Sequence, residues 1–254
     1  MIRLFDKTVD IGWASWSRSI HNSHWREVLV DKPEKVLAQK LVQGDVRYCP
    51  AFGAFYKNVY AIKMPFNLNL IKRNNKVVLG PHSNINVPDN ELESFITIVH
   101  QDAQDRTSIQ VMLNNTFVSD TPYTIVETLP PILHGCREEI IYLNGRMDCH
   151  AWQRPLQFGF QLSKENIDKM NEDDSIILQK GEVVMYVRFI TPKDQPVKLY
   201  TMDMDDIERM SKYAQRNISL PFMMRRFNFA EVIDRVRYRR PKKFLRNKKY
   251  DRGE

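Results

Sequence analysis

The sequence predicts a mainly-β protein, a two-sheet sandwich or a jelly-roll or cupin-like barrel, followed by C-terminal helices and a basic tail. Three observations predict it. Short apolar runs, either alternating or apolar throughout, follow one another from about residue 45 to 202, separated by Gly, Pro and Asn turn signals. No long helical pattern interrupts them. Helical spacing emerges only after residue 203, and the cationic surplus lies at that same end. The organisation that follows is a Trp-bearing N-terminal arm (1–44), a β-rich core domain (45–202), C-terminal helices (203–240) and a basic tail (241–254).

The chain of 254 residues is long enough for a sizeable core, and 43% hydrophobic with 27% charged residues is ordinary for a folded soluble protein. No apolar run reaches the ~18 residues of a membrane span, so no membrane role is expected. The first residues lack the ~7–15 residue apolar block of a signal peptide and carry Asp6 and Asp10. Three cysteines, Cys49, Cys136 and Cys149, are expected as reduced thiols of a cytosolic protein.

Residues 1–48 show little clean periodicity. Trp13, Trp16 and Trp25 are interleaved with Arg18, His21, His24 and Arg26, and their large apolar rings are expected to plug gaps against the core or a neighbouring subunit rather than to stack on a ligand. Residues 28–30 make a short strand before the Asp31-Lys32-Pro33 turn. Around residues 59–64, Val59, Ala61 and Met64 share one face, with Tyr60 and Ile62 on the other. A strand apolar on both faces is expected to be buried on both. Residues 66–71 and 76–79 form a hairpin across the polar loop 72–75, and 80–90 is a loop.

Further strands are expected at 95–100, 108–114 and 123–129, and Pro130-Pro131 breaks the chain. The centre of the molecule is the stretch 140–162. It reads as a strand (140–143), an Asn144-Gly145 turn, an elbow at Trp152, Arg154 and Pro155, and a second strand in which Leu156, Phe158, Phe160 and Leu162 share the buried face. The elbow is expected to be a packing device. After an acidic turn at 171–174 come strands at 175–178, 183–190 and 197–201. In the middle one Val183, Met185, Val187 and Phe189 are expected on one face. Asp203, Asp205 and Asp206 then start a helix carrying Ile207, Met210 and Ala214, which Asn217 ends. A second helix, about 222–239, carries a stripe of Phe222, Phe229, Ile233 and Val236 with a Glu231–Arg235 pair, and Pro241 stops it.

Three blocks carry a resemblance. They are Cys49-Pro50-Ala51-Phe52 with Phe55-Tyr56-Lys57-Asn58 and Met64-Pro65-Phe66; Asn144-Gly145 with Trp152-Gln153-Arg154-Pro155 and Phe158-Gly159-Phe160; and Ile177, Lys180-Gly181-Glu182 and Tyr186-Val187-Arg188-Phe189. In order and spacing, over about residues 49 to 190, the chain resembles a family of conserved proteins of tailed bacteriophages. The resemblance implies a phage protein in the host cytoplasm or the virion, and it brings no catalytic residues with it.

Candidate chemistry is sparse. His134, Cys136, Cys149 and His150 bring zinc-type ligands near one hairpin, but their spacing matches no standard zinc pattern, and Cys149 and His150, being adjacent, point to opposite faces of a strand. A cupin-like metalloenzyme needs two histidines and a carboxylate converging on one iron, and the histidines at 21, 24, 82, 100, 134 and 150 form no His-x-His pair. No phosphate-cradling glycine motif is present. No cofactor or metal is therefore expected.

The cationic end is the strongest signal. The last 34 residues hold 12 Lys and Arg against 4 Asp and Glu, leaving 26 basic and 27 acidic side chains in the other 220. Arg225, Arg226, Arg235, Arg237, Arg239, Arg240, Lys242, Lys243, Arg246, Lys248, Lys249 and Arg252 are interleaved with Phe227, Tyr238, Phe244 and Tyr250, which suits contact with a polyanion or an acidic partner. The binding residues are expected among those from Arg235 to Arg252. The expected function is a non-enzymatic structural or assembly-related interaction protein of a phage, contacting other phage subunits or copies of itself. The alternatives are an early phage protein that binds nucleic acid or a host component, and a cupin-like metalloenzyme.

Overall fold

The computed structural model describes residues 8–15, 32–37, 49–81, 96–101, 106–119, 121–150 and 155–202. The expectations for Trp16, Trp25, the strand at 28–30, most of the 80–90 loop, Trp152 and Arg154 of the elbow, both C-terminal helices and the basic residues from Arg225 to Arg252 lie outside the described residues.

The described chain is mainly β, as expected, and is built of short strands with two brief α-helices. In order these are β1 (Val9–Ser15), β2 (Glu34–Lys35), α1 (Pro50–Tyr56), β3 (Val59–Lys63), β4 (Leu68–Arg73), β5 (Lys76–Leu79), β6 (Ile96–Gln101) and β7 (Arg106–Ser119). Then come β8 (Ile125–Leu129), β9 (Ile141–Leu143), β10 (Arg146–Asp148), β11 (Pro155–Ser163), α2 (Lys164–Lys169), β12 (Ser175–Leu178), β13 (Val183–Ile190) and β14 (Val197–Thr201). Residues 9–15, inside the segment read as an arm, are thus an interior strand, and its Trp13 is a core residue.

Three sheets result among the described residues: a six-stranded sheet β14-β1-β7-β11-β9 with β6 also on β7, a five-stranded sheet β10-β8-β13-β3-β2, and a small sheet β12-β4-β5. No barrel closes among them. The two larger sheets face each other as a sandwich. One sends in Ile11, Trp13, Val111, Phe117, Phe158 and Phe160, and the other Tyr60, Ile62, Val126, Met185, Val187 and Phe189, all in one core cluster. An edge-to-face contact of Phe117 with Phe189 at 5.2 Å joins the layers, and Tyr60 meets Phe189 likewise at 5.6 Å within the five-stranded sheet.

The longest strand organises the larger sheet. β7 runs for 14 residues, with β11 along one edge and β6 followed by β1 along the other. Between Pro155 and Gln157 of β11 the partner jumps from Thr116 to Met112, so β7 carries two extra residues at that point. An insertion of two preserves the alternation, and Val111, Leu113, Asn115 and Phe117 are all buried. The amide of buried Asn115 is used in place: Nδ2 donates to the Leu113 carbonyl (2.9 Å), and Oδ1 accepts the indole N–H of Trp13 (2.8 Å). β1 continues the sheet outward to β14, in parallel. Gly12 leaves room there, since a Cβ would stand 2.5 Å from the Met202 sulfur.

The stretch 140–163 behaves differently from a plain hairpin. β9 does pair with β11, Tyr142 opposite Phe160, and the expected inward face is buried throughout, at Leu156, Phe158, Phe160 and Leu162. However, after Asn144-Gly145 the chain crosses to the opposite sheet, where β10 pairs with β8, before returning as β11. The crossing is held by a clamp: the Gly145 N–H donates to Thr128 Oγ1 (2.7 Å) while the Gly145 carbonyl accepts the Thr128 N–H (2.9 Å).

Several expectations are refined. β3 is buried on both faces because α1, started by Pro50, covers the outer one; Tyr56, Val59, Ala61 and Tyr186 form a second cluster there. Met64 turns instead into the main core. The β4–β5 loop tightens to Asn74-Asn75, both at positive φ (51° and 58°), as a two-residue hairpin requires. Lys72, expected in that loop, is a buried strand residue whose Nζ donates to the Met170 carbonyl (2.7 Å). In β13 a register shift between Val183 and Met185 sends Val183 to the outer cluster, while Met185, Val187 and Phe189 stay inward.

Replacing Phe160, which is fully buried, by Ala should cost about 3–5 kcal/mol of unfolding free energy. Replacing exposed Gln157 in the same strand by Ala should change it by no more than about 0.5 kcal/mol. Urea denaturation of the two variants checks this difference.

Candidate functional site

The basic residues singled out by the sequence, Arg235 to Arg252, lie beyond the described residues, whose last strand, β14, is firmly placed. The start of β14 is pinned by Asn58, whose Oδ1 accepts the Val197 N–H (3.0 Å) and whose Nδ2 donates to the Gln195 carbonyl (2.9 Å). The Tyr60 hydroxyl donates to the Val197 carbonyl (3.1 Å), and burial pushes that phenol up to about 12, so it stays a donor at neutral pH. At the other end the Met202 N–H donates to the Trp13 carbonyl (2.8 Å). The described chain therefore ends, at Met202, beside the end of β1 at the outer edge of the larger sheet.

Several cations of the body are bound to the body's own acids. Arg137 holds Glu182 through Nε (2.9 Å) and Nη2 (3.1 Å), reaches Glu139 (3.2 Å), and donates to the Ile177 carbonyl (2.6 Å). The bonds to Glu182 raise its pKa further, so its charge is permanent. Glu127, nearly buried, accepts from Arg146 (2.7 Å) and from Arg188, and Arg188 also lies 4.5 Å from the Phe55 ring. Lys63 pairs with Glu34 at 2.8 Å, and Lys57 with Asp194 at 3.5 Å.

The four zinc-type residues do not converge. Cys149 is buried, and its thiol donates to the Thr124 carbonyl (3.2 Å); burial pushes its pKa far up, which suits a structural thiol and not a thiolate ligand. His150 Nδ1 faces the Ser119 carbonyl at 3.0 Å. His134 and Cys136 belong to the neighbourhood of Tyr186 instead. No group of three or more His, Cys, Asp or Glu side chains among the described residues is placed to hold a metal. One spacing the sequence reading passes over is His100-Gln101-Asp102, a His-x-Asp at the end of β6. Its His100 Nδ1 meets Thr107 Oγ1 at 3.1 Å, across the β6–β7 pair, and Asp102 lies outside the described residues.

Two further features have no strong sequence signal. In the first, Tyr186 accepts the Leu133 N–H (3.0 Å) on its hydroxyl oxygen, so its own proton goes to His134 Nδ1, 2.6 Å away. This arrangement needs a neutral imidazole, and burial together with nearby Lys63 lowers the His134 pKa, against a smaller opposing effect of Glu34. The second is an open cleft of about 270 Å³ where β9 leaves the larger sheet, lined among others by Gln110, Gln157, Asn144, Leu143 and Met147. Gln110 and Gln157 look like ordinary outward-facing strand residues in the sequence; only the pairing of β7 with β11 and the crossing at Gly145 bring them beside Asn144.

No family model matches the chain, no curated protein matches its sequence, and no solved structure matches its fold. Among the described residues no helix is long and apolar enough to cross a membrane.

Because His134 has a lowered pKa in the folded state, the unfolded chain binds more protons as the pH falls through the window just below the ordinary histidine value of ~6.5. Its contribution to stability is complete above ~6.5 and is lost as the pH falls towards the lowered folded pKa. His134→Gln should therefore show a shallower loss of Tm than the natural chain across that window. Parallel melting curves at stepped pH provide the check.

Proposed function

We propose that the chain is a non-enzymatic interaction protein of a bacteriophage, structural or assembly-related, in which a rigid β body positions a cationic C-terminal segment against its partner. We also propose that the sandwich is of the jelly-roll kind used by viral coat domains. What supports the latter is the alternation between sheets, β8 in the smaller layer, β9 in the larger, β10 in the smaller, β11 in the larger. What carries the functional reading is the distribution of charge. The cationic surplus lies in the last 34 residues, while the described body pairs Arg137, Arg146, Arg188 and Lys63 with its own acids. A near-neutral body offers little long-range attraction, so the charged segment sets both partner and salt dependence. The resemblance of residues 49 to 190 to tailed-phage proteins supplies the setting. Quantitative mass spectrometry of purified particles should find the chain at many copies, and its absence from particles would remove this reading.

A second reading is favoured by the aromatic residues interleaved with those cations: an early phage protein that binds nucleic acid through the same segment. Deleting residues 241–254 should then weaken binding to a fluorescent oligonucleotide and flatten its dependence on salt, because fewer counterions are released. Unchanged binding at low salt would exclude it.

A further inference from the structure

The cleft beside Asn144 does not belong to the charged segment, and its chemistry is different. It exists because β9 pairs with β11 only at Gly159, Phe160 and Gln161, after which the chain crosses to β8, and among the described residues no strand pairs with the start of β11 on that side. Gln110 of β7 and Gln157 of β11 stand on the outer face of the sheet, and Asn144 opens the crossing. None of these three amides makes a hydrogen bond to another described residue. The Thr128–Gly145 clamp holds the crossing strand in place, so the amides converge on a fixed wall. Exposed Leu143 and half-buried Met147 add apolar surface to the lining.

We infer that this cleft is a binding site for a neutral sugar unit, such as the terminal residue of a glycan. Each carboxamide presents a donor and an acceptor side by side, and a sugar hydroxyl is both at once, so three amides can satisfy several hydroxyls without any charge. Among the described residues one guanidinium stands at the rim, that of Arg146, and it is bonded to Glu127, which weakens its attraction for an anionic ligand. No aromatic ring lines the cleft among the described residues. Leu143 and Met147 offer apolar surface to the C–H face of a pyranose ring. A volume of about 270 Å³ is below the usual ~300–1,000 Å³ of drug-sized sites and suits one ring, while the open mouth lets a longer chain continue outward.

Saturation-transfer NMR on the full chain tests this, with glucose, galactose, mannose and N-acetylglucosamine as probes and adenosine as the comparison. At least one sugar should receive saturation, and Gln110→Ala with Gln157→Ala should weaken it about tenfold, the loss expected for two or so hydrogen bonds. The positions are exposed, so the double variant should melt with the natural chain; Gln157→Glu, which keeps the shape and removes the amide donor, gives a second reading of the same site. No transfer to any sugar, transfer unaffected by both variants, or transfer to adenosine alone would overturn the assignment. None of these outcomes bears on the cationic segment, whose binding is measured separately.

Discussion

Backbone hydrogen bonding along both edges of β7 is the constraint on which the other strands depend. A buried peptide group without a partner is costly, so a strand sandwiched in the core must be paired on each side. β11 satisfies one edge over most of its length, and β6 and β1 divide the other between them. That division settles the positions of distant parts of the chain. β1 and β11 meet on one strand, and β14 is placed in turn by β1. Trp13 and Asn115 show the same logic in side chains: one indole N–H and one amide, both buried, complete each other where β1 replaces β6 along β7.

The larger sheet has two distinct margins, β14 at one and β9 at the other. At one, β1 pairs with β14, and the bonds from Asn58 and Tyr60 tie that margin to the facing sheet. At the other, β9 stops after three residues and the crossing to β10 opens a neutral cleft. Ion pairs of the body stay local: Arg137 fastens the segment after β8 to the turn before β13, and Glu127 is shared by arginines from the two strands beside it. Such pairs position loops and strands more than they add stability, since partly exposed ion pairs are worth little.

What could be read from the residues was whatever shows as alternation. Leu156, Phe158, Phe160 and Leu162 declare a buried face at period two, and Tyr60 with Ile62 against Val59 with Ala61 declares two buried faces. Local interruptions of that period do not show. The shift at Val183 and the two extra residues of β7 leave no mark in hydropathy, because bulges obey the partner strand rather than the bulged one. The helix α1 was equally hidden: seven residues containing Pro50 and Gly53 have low helix propensity, and it persists because Phe52 and Tyr56 pack on the sheet. Val9–Ser15 was obscured by Gly12 and Asp10, whose places are set by neighbours that only the fold supplies. Of the candidate sites, the charged segment was visible from composition, whereas the cleft joins residues far apart in sequence and was not.

Hydrogen exchange of the full chain, followed amide by amide through a urea series, tests the role of β7 most directly. If β7 holds the larger sheet together, its interior amides exchange last, and those bonded to them in β1 and β11 join them in one cooperative opening, while the β4–β5 hairpin opens earlier. Should β7 exchange ahead of that hairpin, or β1 and β11 open separately while β7 stays protected, the account of a shared central strand would be wrong.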